Sequence, residues 1–142
     1  SYHEKVEWSV RRSLSKTNYK IHTDSIKENV VPELTDKQKL FAYANEADII
    51  NVALFGMTAK EWKEKNPNLS GNIRDYTDIL HLVVLSNLEV LNASMMDNNI
   101  DQKQRLEKLN QTARKELEIL VNDKNIIDIQ ELDTKNRLVE NK

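Results

Sequence analysis

Three histidines, His3, His22 and His81, are too scattered to form a helical metal pair, which needs two imidazoles four residues apart on one face. His81 follows Leu80 in the most apolar part of the chain and reads as a packed or hydrogen-bonded core histidine. Asp78 and Ser86 flank it, but no Gly-x-Ser-x-Gly elbow surrounds the serine, so a hydrolase reading has little support. Two-metal nucleases need several carboxylates close together. Glu46 and Asp48 are two apart on an expected helix and so point to different sides. Asp75 and Asp78 straddle an expected helix start, where acids also suit the dipole. No catalytic residue, metal ligand or cofactor is assigned from these groups. The chain has no cysteine, which removes disulfides, thiolate sites and cysteine nucleophiles and fits a reducing compartment.

Gly71-Asn72-Ile73-Arg74-Asp75 resembles, faintly, the Gly-Asn-Gly-Arg portion of AMP-transferring Fic enzymes. Those enzymes also need a His-Pro-Phe element upstream, which this chain lacks, and Ile73 replaces their second glycine. The expectation is therefore that Gly71 and Asn72 make a turn, while Arg74 pairs with Asp75, Asp78 or a helix C-terminus. With only 2 glycines, no phosphate-cradling loop is possible elsewhere. Asn45, Glu46, Asp48, Asn51, Asn87, Glu89 and Asn92 interrupt otherwise apolar helices. Buried amides and acids must find partners, so an interhelical polar network is expected. Asn45, Glu46, Asp48, Asn72, Arg74 and Asp75 form the candidate polar cluster.

Charge is unevenly spread. The chain totals −2, yet residues 1–22 carry five basic side chains against two acidic ones. Arg11, Arg12, Lys16 and Lys20 make that segment the candidate contact for an anion such as DNA.

These groups must be positioned by helices. Only 2 Gly and 2 Pro among 142 residues argue against a turn-rich β protein. Tyr2, Val6, Val10 and Leu14 form one stripe on a helix over 2–17, with Trp8 off it, and Asp24 caps a short helix from Ser25 toward Val31 that Pro32 ends. Thr35 and Gln38 have capping-box spacing and open a helix expected to run through Leu40 and Phe41 to Phe55, with Gly56 at the left-handed C′ position. Thr58 and Glu61 form a second capping box, with Met57 and Trp62 as a hydrophobic staple. The resulting helix–turn–helix over 36–66 reads as local packing rather than DNA recognition, because its bulkiest residue is used as the staple.

Tyr76–Met96 is the expected core helix, capped by Asp75 or Thr77, with apolar residues round most of its circumference. The last clear helix, about Asp101 to Val121, carries Leu106, Leu109, Ala113, Leu117 and Leu120 as one narrow stripe for docking or for a coiled coil. The sequence thus predicts an all-α domain over 1–121, of about five to six helices around Tyr76–Met96, and a weakly structured or short helical tail over 122–142. No uninterrupted apolar run approaches the ~20 residues of a membrane span, and no signal peptide is visible. The opening at Ser1, without Met, is read as a fragment of something longer.

The strings 12–24, Tyr43-Ala44-Asn45-Glu46-Ala47-Asp48, Asn51 to Trp62, Gly71 to Asp75, Leu85-Ser86-Asn87-Leu88-Glu89 and Asn92-Ala93 resemble the C-terminal region of bacterial and phage proteins with an N-terminal KilA-N domain. The likeness covers roughly residues 5–120. It implies a phage- or prophage-derived parent in the bacterial cytoplasm, touching DNA through a KilA-N domain that this chain does not contain. The present region would be a helical accessory domain without assigned catalytic residues. Its expected partner is protein, its own copy or another chain, through apolar stripes that can pair between chains. The alternatives are an auxiliary DNA contact through the basic first segment, or an unrecognised enzyme such as a nuclease.

Overall fold

The computed structural model describes residues 30–123, together with the single position Lys5. The expected first helix, Trp8, the basic residues Arg11, Arg12, Lys16 and Lys20, and the tail beyond Asp123 lie outside the described residues. Val30 and Val31, expected to close a short helix, are not helical.

Among the described residues the architecture is all-α: α1 (Asp36–Leu40), α2 (Glu46–Phe55), α3 (Ala59–Lys65), a 3-10 turn (Ile73–Asp75), α4 (Ile79–Asp97) and α5 (Gln102–Asn122). The expected long helix from Thr35 to Phe55 is in fact two. Phe41 leaves α1 in an extended conformation, and Asn45 caps α2 by accepting the Asp48 N–H at 2.8 Å. Asn45 followed by acids in the first turn is a strong helix start, and that local preference outweighs the continuous apolar spacing. Two of the backbone groups exposed by the break, both of Tyr43, find a partner in Gln102. Its Oε1 accepts from the Tyr43 N–H at 2.9 Å, and its Nε2 donates to the Tyr43 carbonyl at 3.1 Å.

Both expected capping boxes form, at Thr35/Gln38 and Thr58/Glu61, and Met57 and Trp62 are both buried in the core. The core helix begins at Ile79, three residues later than expected, because Asp78 is the cap rather than Asp75 or Thr77. Asn72 and Asp75 instead close a box of their own round the 3-10 turn.

The stripe of α5 packs onto both α2 and α4, with Leu106, Leu109, Ala113, Leu117 and Leu120 all buried. α4 is the one described helix long and apolar enough to cross a membrane by length and composition, with mean hydropathy 1.5. Half of that window is buried within the protein, and its polar side chains meet neighbouring elements. That is the pattern of a core helix.

Gly56 turns the chain from α2 into α3. Its φ is +75°, and a Cβ there would stand 2.7 Å from Pro32 Cγ. Gly56→Ala combines a left-handed backbone with a clash, so it should cost more than about 1 kcal/mol. Urea unfolding measures this; an unchanged midpoint would contradict the tight approach of Pro32 to the corner.

Candidate functional site

Glu46 lies in the first turn of α2, Asn92 in the second half of α4, and Arg105 in the first turn of α5. The three side chains meet. Arg105 forms a two-pronged contact with Glu46, Nη1 on Oε1 and Nη2 on Oε2 at 3.3 Å. Its Nη1 also donates to Asn92 Oδ1 at 2.9 Å, while Nε donates to the Ile100 carbonyl at 2.9 Å. Asn92 Nδ2 completes the ring by donating to Glu46 Oε1 at 2.8 Å. Arg105 is buried, whereas the Glu46 side chain keeps 38% exposure. The hydrogen bond from Arg105 holds the Glu46 carboxyl below its ordinary 4.5, with Asn92 assisting against the opposing effect of burial.

Of the residues expected in an interhelical network, Glu46 and Asn92 link α2 to α4, whereas Asn87 bonds Glu116 on α5 and Glu89 pairs with Arg74; the organising cation is Arg105, which the sequence reading overlooked. A signal was present: Arg105 stands immediately before Leu106 and four residues before Leu109, at the edge of the α5 stripe. Asn110 on the same helix was overlooked too. Its Nδ2 donates to both the Pro32 and Ala53 carbonyls at 2.9 Å.

The remaining candidates divide. Asn45 caps α2. Asn72 and Asp75 hold the 3-10 turn, with the Asn72 N–H donating to Asp75 Oδ2 at 2.8 Å. Arg74 reaches Glu89 on α4 at 3.3 Å, a partner outside those expected for it, with both side chains nearly half exposed. Among the described residues no hydrogen bond or ion pair links Asn72, Arg74 and Asp75 to Asn45, Glu46 and Asp48, so the six do not form one site. Asp78 and His81 form a buried pair, Oδ1 to Nδ1 at 2.7 Å, with His81 stacked on Phe55 at a centroid distance of 5.8 Å. Ser86 is exposed. The core-histidine reading of His81 stands. No group of three or more potential metal ligands occurs among the described residues.

A groove of about 630 Å³ opens between α1, the 41–45 connector and the start of α3. Phe41 on its floor is 53% exposed, and its ring lies 4.7 Å from that of Tyr43. Asp48, Glu61 and Glu64 line it, as do Lys37 and Lys60. Burial, then Glu61, then Asp48 push the Tyr43 hydroxyl pKa upward. The chain matches no protein-family model, no curated protein and no solved structure.

Two acids set opposite pH trends. Glu46, with its pKa lowered by folding, contributes stability above its ordinary 4.5 that disappears as pH falls through its folded value. Glu116, half-buried and bonded by Asn87 at 3.2 Å, has its pKa raised by burial, so its ionisation opposes folding as pH rises. Thermal unfolding should show Glu46→Gln flattening the loss of stability below pH 4.5, and Glu116→Gln raising Tm at neutral pH but not in acid. The reverse pattern would contradict both assignments. Arg105→Ala, which strands Glu46 and Asn92, should cost roughly 2–4 kcal/mol by urea unfolding, solvent at Glu46 relieving part of the penalty.

Proposed function

We propose that this domain is a non-catalytic interaction module that brings copies of its parent chain together. The parent on this reading is a phage- or prophage-derived, DNA-associated protein of KilA-N type, acting in the bacterial cytoplasm, with DNA contact assigned to its KilA-N domain. The family part is supported by the ordered strings between residues 5 and 120. The interaction part has support in how the polar candidates are used: Glu46, Asn92, Arg105, Asn72 and Asp75 all hold elements in place.

The observation that carries the reading is the outer side of α4. Val90 is 72% exposed and Met96 45%; they stand about 120° apart round the helix, with Ser86, Ala93 and the acids Glu89 and Asp97 on the arc between them, Glu89 being paired with Arg74. Ser86 and Ala93 leave room beside Val90 for a second helix to approach closely. A two-fold arrangement would set this face against itself, so one surface suffices for both partners. The α5 stripe, which also suggested pairing between chains, is already covered by α2 and α4.

Sedimentation of the full chain tests the proposal. A concentration-dependent dimer is expected, and Val90→Glu should abolish it while changing stability by no more than about 0.5 kcal/mol, since the site is exposed. A strict monomer at high concentration overturns self-association.

A further inference from the structure

The connector between α1 and α2 behaves as one residue of a strand. Tyr43 presents its N–H and C=O to the same partner, the Gln102 amide, as a residue does in an antiparallel ladder. Peptide units are planar, and none here is cis. The Ala42 carbonyl shares a plane with the Tyr43 N–H and therefore points the opposite way. The Ala44 N–H, opposite the Tyr43 carbonyl, does the same. This acceptor–donor pair is turned from Gln102, both alanines are exposed, and both line the groove. Neither backbone group has a hydrogen bond among the described residues.

An extended residue laid along the connector meets that pair with its own N–H and C=O, adding a strand at an open edge. Methyl-sized side chains at Ala42 and Ala44 leave the backbone accessible. Beside the edge, Phe41 offers an exposed ring, and Leu40 next to it is 72% exposed. Asp48 and Glu64 have no ion-pair partner among the described residues, and with Glu61 they set three carboxylates in the groove lining against the two ammonium groups of Lys37 and Lys60.

We infer that this groove binds an extended peptide segment of a partner protein, held by main-chain bonds to the Ala42 carbonyl and Ala44 N–H, with an apolar side chain on Phe41 and a basic one at Asp48 and Glu64. The inference rests on reading the domain as an interaction module, yet uses a surface separate from the α4 face. Its failure is therefore distinguishable: Val90→Glu acts on self-association alone, and the groove variants act on peptide alone.

The test is fluorescence anisotropy of the full chain with a short labelled peptide alternating valine and lysine. Saturable binding is expected, weakened at least about tenfold by Asp48→Lys, in line with the strength of interfacial charge pairs. Phe41→Ser should weaken it as well, with circular dichroism verifying that each variant stays folded. N-methylation of the peptide backbone, which leaves the protein untouched, should abolish binding. The same peptide with glutamate for lysine should not bind. Absence of saturable binding, indifference to N-methylation, or equal affinity for the acidic peptide overturns the inference.

Discussion

The guanidinium of Arg105 cannot sit among apolar helices unless its donors are met, and the groups that meet it come from three directions. Glu46 supplies two oxygens from α2, Asn92 one from α4, and Ile100 a carbonyl from the connection leading into α5. Hydrocarbon packing alone is tolerant of small slides and rotations, since one leucine contact resembles the next. A two-pronged Arg–Glu contact with a shared amide is not tolerant, because displacement by an ångström leaves buried polar atoms unmet. The apolar stripe of α5 drives it onto α2 and α4; the network fixes where along them it rests. Such an arrangement contributes register more than net stability, because desolvating the charges offsets much of their attraction.

Two amides extend the same logic to the irregular parts. Gln102 holds the connector through Tyr43, and Asn110 gathers Pro32 and Ala53. Both belong to α5, as Arg105 does, so one helix carries the apolar seam and three of the side chains that position non-helical backbone or a buried charge. α1, which has no buried residue, is tied to the α2–α3 corner by Gln38 donating to the Gly56 carbonyl at 3.0 Å and also packs against α5.

What the sequence made legible was local. Capping boxes, the glycine corner and the leucine stripe each state their structure within a few residues, and each formed as read. Asn45 was read for its chemistry when its position before Glu46 and Asp48 made it a cap, which hid the break between α1 and α2. The network was expected only between α2 and α4, because partner choice across the fold depends on which helix faces align, and spacing within one helix does not encode that. Arg74 illustrates the same limit: nearby acids looked like partners, but Asp75 was already engaged by Asn72, and Glu89 came from another element. For the groove, the sequence carries a signal only for the break on which it depends, in Asn45 ahead of Glu46 and Asp48. It opens where α1 and α2 separate at the Asn45 cap, and its walls come from elements that only the folded chain brings together.

Asn110 has a consequence for the order in which the chain takes shape. The carbonyls it gathers lie 78 and 57 positions earlier in the chain. Contacts of such separation close late, after loop entropy has been overcome. During synthesis, α2, α3 and α4 emerge with their apolar faces and the Pro32 segment still without this anchor. The chain therefore passes through an interval, ended only by the arrival of α5, in which Pro32 and Ala53 are made but not yet gathered by Asn110.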